Sequence, residues 1–128
     1  MIINRIFTED NGVVIQLSGD ITGAEIISAK ASFKNNFDYY LYDFTNVEHI
    51  EISADEVADI AVQDIKLAQQ TSNMQIVIVA GSDLIFGLGR MWQILVEDSP
   101  LKAGVFRSLD QANNWISENI QSLNVMQC

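Results

Sequence analysis

His49 is the only histidine in this 128-residue chain, and it stands among groups that acid–base or nucleophilic chemistry uses: Asp43, Glu48, Glu51 and Ser53. A Ser53–His49–Asp43 relay can be written, because a hydroxyl nucleophile needs a base and the base needs an orienting carboxylate. However, no Gly-x-Ser-x-Gly elbow surrounds Ser53, and its place before Ala54, Asp55 and Glu56 makes it a helix cap first. Glu48, Glu51, Asp55, Glu56 and Asp59 read as a solvated acidic face rather than an acid–base pair. One histidine and one cysteine, Cys128, give no ligand spacing for zinc or iron. The expectation is a chain with no catalytic residue, no metal and no cofactor.

A second place for chemistry is Gly81-Ser-Asp-Leu-Ile-Phe-Gly-Leu-Gly-Arg90. It is glycine-rich where a strand passes into a helix, but it lacks the Gly-Lys-Ser/Thr of a phosphate loop and the spacing of a dinucleotide fingerprint. Asp83 at the helix start would also repel a phosphate. Gly87 and Gly89 each cost about 1 kcal/mol against alanine inside a helix, so close packing on a sheet or close approach of a ligand has to offset them. Phe86, Gly87, Gly89, Met91 and Trp92 are the candidate lining of an apolar ligand or membrane-contacting groove.

Length and charge bound the rest. A chain of this length reads as one domain, residues 1–128, able to bury about two-thirds of its unfolded surface. Seventeen acidic residues against seven basic ones give a net charge of −10. Such a chain is a poor counterion for phosphate, which argues against nucleic acid and against purely electrostatic docking on anionic lipid. No signal-peptide order and no membrane-length apolar run is present, and the lone cysteine forms no internal disulfide. A cytoplasmic setting is expected.

These residues need elements to position them. Ile2–Phe7 and Val13–Leu17, joined through the turn signal Asn11-Gly12, read as a hairpin ended by Ser18-Gly19-Asp20. Thr22 and Glu25 form a capping box for a helix in which Ile26, Ile27, Ala31 and Phe33 share a face, Lys30 and Lys34 point outward, and Asn35-Asn36 stop the helix. Tyr39–Phe44 has the composition of a strand, broken at Thr45-Asn46. Ser53 and Glu56 cap a second helix whose stripe is Val57, Ile60, Ala61, Ile65 and Ala68, with Asp55, Asp59, Gln63 and Lys66 opposite. Met74–Ala80 suits a strand covered on both faces. A third helix, 83–97, carries Leu84, Leu88, Met91, Trp92 and Leu95, and Phe86 falls off that stripe. Ala103–Phe106 forms the last strand. Ser108 caps a fourth helix with Leu109, Ala112, Trp115, Ile116 and Ile120, and residues 121–128 form a frayed tail beyond a core of about 2–120. The order β-β-α-β-α-β-α-β-α implies a mixed, mostly parallel five-stranded sheet with about four helices.

That order, Gly19-Asp20 closing the second strand, and Leu41-Tyr-Asp-Phe-Thr-Asn-Val-Glu-His-Ile-Glu-Ile-Ser53 together resemble the STAS domain, and within it the SpoIIAA-like, anti-sigma-factor-antagonist-like proteins. The resemblance implies an α/β STAS-like sandwich and a hydroxyl phosphorylated by a partner kinase at the start of the second helix. Here Glu51 matches the family aspartate, Ile52 stands where the phosphorylated hydroxyl would be, Ser53 matches only the second hydroxyl, and Ala54 replaces a glycine. A phosphoswitch is therefore not expected.

The reading is a bacterial, non-enzymatic regulatory or interaction module that binds a protein partner, anti-sigma-like or kinase-like, through Asp43, Glu51, Ser53 and Asp55. The alternative uses helix 83–97 to bind a lipid or other apolar ligand or to touch a membrane peripherally. The resemblance carries that alternative too, because the fold is also similar to the lipid-binding CRAL-TRIO domains. Homo-oligomers stay open, since the aromatic strand Tyr39–Phe44 would be a pairing hazard if left uncovered.

Overall fold

The computed structural model describes residues 2–32, 37–71 and 73–127, those from 120 onward by backbone alone. Five strands and four helices alternate: β1 (Ile2–Phe7), β2 (Gly12–Thr22), α1 (Gly23–Ala31), β3 (Tyr39–Glu51), α2 (Ala54–Gln70), β4 (Gln75–Val79), α3 (Asp83–Val96), β5 (Lys102–Phe106) and α4 (Leu109–Gln127). The sheet order is β1-β2-β3-β4-β5, antiparallel only between β1 and β2. The expected α/β architecture of a mixed, mostly parallel sheet is what forms. α1 ends at Ala31, which is exposed, with Ser32 as its C-cap, so the helix stops before the expected Asn35-Asn36; the positions of Phe33 and Lys34, Cys128 and the side chains of the tail lie outside the described residues. The backbone of α4 is helical through Gln127.

Two cores flank the sheet. On one face Val13, Ile15, Leu17, Tyr40, Tyr42, Phe44 and Ile76 pack under α1, α2 and α3. On the other, Leu41, Val77 and Val79 meet Ala112 and Ile116 of α4. Leu41 and Val77 are fully buried, each contributing about 1.5–3 kcal/mol of apolar transfer. The strand Tyr39–Phe44 lies mid-sheet, paired on both sides through Asp43, so it presents no pairing hazard.

Local signals hold where they are purely local. Asn11 takes a left-handed φ of 61° and turns β1 into β2. Thr22 and Ser53 both close complete capping boxes, with Glu25 and Glu56 respectively. Ser82 and Ser108 accept from the backbone N–H of Ile85 and Gln111 at 3.2 Å.

Three further expectations are corrected. First, Thr45-Asn46 does not end the strand. β3 runs on to Glu51 beside an equally lengthened β2, and one extra β3 residue enters the register at each of two bulges. The Asp43 carboxylate accepts from the Thr45 backbone N–H at 3.0 Å and from its hydroxyl at 2.7 Å, so the polar pair shapes a bulge instead of a loop. Gly19, at φ +79°, serves the partner strand there. Second, α3 is rotated from the expected stripe: Ile85, Gly89, Trp92 and Val96 face inward, while Leu84 is 61% and Leu95 46% exposed. A Cβ on Gly89 would lie 2.9 Å from Cγ1 of Val105, so this glycine is the contact that lets α3 settle onto β5. Third, Lys30 points inward, with its side chain only 8% exposed.

Candidate functional site

The residues singled out at the second helix do not form one cluster. Asp43 is 7% exposed and spent on Thr45, so it supports the β3 bulge and offers no surface. Glu51, Ser53 and Asp55 are exposed together at the start of α2. The Ser53 hydroxyl accepts from the Glu56 N–H at 3.1 Å while Glu56 accepts from the Ser53 N–H at 2.9 Å. His49 is exposed on β3 opposite Asp20, and no hydrogen bond joins it to Ser53 or Asp43 among the described residues. No relay is assembled there.

The start of α2 lies at the tip of a ribbon. β3 pairs with β4 only from Tyr39 to Asp43, whereas its pairing with β2 continues to Glu51. From Asn46 to Glu51 the β4-side edge of β3 therefore has no strand partner among the described residues. A row of backbone donors and acceptors beside three exposed polar side chains is a surface that an extended peptide can join.

On α3 the candidate groove residues go to different places. Phe86 is half-buried under the Arg107 guanidinium, 4.1 Å from its ring centroid, and Arg107 also pairs with Asp83 at 2.7 Å. Gly87 has open space around it, Gly89 faces Val105 and Ile78, and Met91 is half-buried. Trp92 is buried, and its indole N–H donates to Asp64 Oδ2 at 2.9 Å.

That bond belongs to a group of residues the sequence reading did not assemble. Asp64 of α2 is 2% exposed; its Oδ1 meets Lys30 Nζ of α1 at 2.8 Å, and the ammonium sits 4.0 Å from the centroid of the Tyr42 ring. Burial alone would lower the Lys30 pKa, but the Asp64 carboxylate and Tyr42 outweigh it and hold the group above its ordinary value. Burial likewise pushes the Tyr42 phenol upward against the pull of Lys30. One signal was available. Lys30 falls four residues after Ile26, and Asp64 falls four after Ile60 and four before Ala68, so each charge occupies an apolar stripe position.

Above this ion pair lies an apolar cavity of about 60 Å³, walled by Ile26, Phe44, Ile50, Ile52, Ile85 and Leu88 among others. At roughly 10–15 Å³ per water-sized group it has room for about four to six such groups. Ile52 is part of that wall. No cluster of histidine, cysteine or carboxylates suited to a metal occurs among the described residues. No helix among them is long and apolar enough to cross a membrane.

This sheet order, with three helices on one face and one on the other, is a SpoIIAA-like, STAS-type α/β fold. The chain aligns over 91% of its length with 98% of the anti-sigma factor antagonist SpoIIAA in its unphosphorylated form, at 11% identity and a TM-score of 0.50. It also aligns over 89% of its length with 91% of an uncharacterized DUF3478-family protein of SpoIIAA-like fold from Shewanella loihica PV-4, at 18% identity and a TM-score of 0.46. The sequence matches no protein-family profile, and no curated protein matches it.

Proposed function

We propose that this chain is a non-enzymatic, cytoplasmic interaction module that holds a protein partner at the start of α2 and along the open edge of β3, independently of phosphorylation. The observation that carries this reading is the half-paired ribbon: Asn46–Glu51 leaves one backbone edge open next to exposed Glu51, Ser53 and Asp55. SpoIIAA, an anti-sigma factor antagonist, supports a regulatory protein partner, anti-sigma-like or kinase-like, for a chain of this fold. The commitment of the Ser53 hydroxyl to capping, with Glu51, Asp55 and Glu56 around it, disfavours an added phosphate. Affinity capture compares the wild type with Glu51→Lys/Asp55→Lys and with Ser53→Ala. The reading requires the charge reversals to release the partner and Ser53→Ala to retain it; capture unchanged by the reversals overturns it.

A second reading, an apolar-ligand module, is favoured by the cavity over the Lys30–Asp64 pair and its isoleucine walls. Any peripheral membrane contact would then be driven by apolar insertion, for which Leu84, Ile94 and Leu95 are the exposed candidates on α3.

A further inference from the structure

The Lys30–Asp64 pair is a partition. On its inner side is the apolar cavity; on its outer side is a groove of about 260 Å³ between α1 and α2, lined by Tyr40, Gln63, Lys66 and Leu67. Lys30, Tyr42 and Asp64 line both spaces.

The charge of the groove is opposite to that of the protein. Two lysines face it against one aspartate, a local balance of +1 on a chain whose net charge is −10. Lys66 is exposed on the rim, and the Lys30 ammonium lies at the junction, paired with Asp64 at 2.8 Å and 4.0 Å over the Tyr42 ring. Gln63 adds an unused acceptor. Its Nε2 donates to the Ile27 carbonyl at 3.3 Å, while its buried Oε1 has no hydrogen-bond partner among the described residues.

We propose that groove and cavity together form a site for a carboxylate bearing a short apolar chain, short because the cavity holds only about 60 Å³. The carboxylate lies between Lys30 and Lys66, which brings the local charge to zero. The chain passes over Tyr42 into the isoleucine-walled cavity, and Asp64 keeps its bond to the Trp92 indole. This rests on the second reading above and adds to it the head group and the route of entry.

The test titrates the folded protein with sodium octanoate, 1-octanol and octyltrimethylammonium in turn. The signal is the Trp92 indole N–H resonance, assigned by its loss in Trp92→Phe, because the indole donates that proton to Asp64 Oδ2. Octanoate is expected to give a saturable shift, 1-octanol to bind at least tenfold more weakly, and octyltrimethylammonium to give none. Lys66→Gln, at an exposed position that leaves the fold intact, is expected to weaken octanoate at least fivefold and leave 1-octanol unchanged. Equal affinity for octanoate and 1-octanol, unaffected by Lys66→Gln, overturns the carboxylate site while the apolar-ligand reading stands. Tighter binding of the ammonium overturns it in favour of Asp64 as the head-group partner. No shift with any of the three overturns both readings.

Discussion

Lys30→Met is the most informative single change. It removes one member of an ion pair held at 2.8 Å, whose side chains are 8% and 3% exposed, and leaves the Asp64 carboxylate in the core. Breaking a buried pair from one side costs about 3–5 kcal/mol, because the remaining charge has lost its compensation. Asp64 still accepts from the Trp92 indole, which places the expected cost near the lower end, about 3 kcal/mol. Against a total stability of about 5–15 kcal/mol this is a large fraction. Asp64→Asn, which keeps an acceptor for Trp92 but strands the ammonium, should cost a similar amount. The double variant should cost at least about 2 kcal/mol less than the sum of the singles, since it leaves no charge unpaired. Urea unfolding followed by far-ultraviolet circular dichroism measures all four proteins, provided their m-values agree. If Lys30→Met costs under about 1 kcal/mol and the two changes simply add, the pair behaves as a solvated surface contact and the buried placement of Lys30 is wrong.

Other predictions concern single contacts. Gly89→Ala should destabilise by about 1–3 kcal/mol, because its Cβ would crowd the buried Val105, whereas Gly87→Ala, with open space around it, should stabilise by about 0.5–1 kcal/mol; thermal melts distinguish the two. Ser53→Ala should cost about 1 kcal/mol by loss of the cap, and Ser53→Asp should be close to neutral because aspartate caps equally well. Stability should also fall at high pH. Burial pushes Tyr39 up to about 12 despite its hydrogen bond to Thr8, and Tyr40, Tyr42 and Lys30 are raised as well. Each of these groups is held in its protonated form by the fold, so its contribution is complete below about pH 10 and is lost as pH rises through the folded-state values. A melting temperature that stays flat from about pH 9 to 11.5 would contradict this, and Tyr39→Phe should make the decline shallower.

What the sequence made legible was decided within a turn or a strand. The capping boxes at Thr22 and Ser53 close over three residues, and the Asn11-Gly12 turn needs only its own backbone freedom. What it hid was decided by distant partners. Lys30 and Asp64 are 34 positions apart on different helices, and each alone reads as an ordinary surface charge. Their positions on apolar stripes were the only local hint. The rotation of α3 has a similar cause: leucine composition favours Leu84 and Leu95 inside, yet the approach of β5 requires the glycine face, and only the packed sheet reveals that requirement. The β3 extension was missed because Thr45 and Asn46 read as turn residues, whereas the Asp43 carboxylate satisfies Thr45 within a bulge and β2 supplies the continuing ladder.

Partner docking at the tip of the β2–β3 ribbon is tested most directly by site-specific crosslinking. With Cys128 changed to serine, a photo-crosslinker on Asp55→Cys is compared with one on Asn113→Cys, an exposed site on α4 across the sheet. Docking at the start of α2 predicts a discrete protein adduct from position 55, none from position 113, and loss of the adduct when Glu51→Lys is added. An adduct that forms from position 113 instead, or that survives Glu51→Lys undiminished, would contradict it.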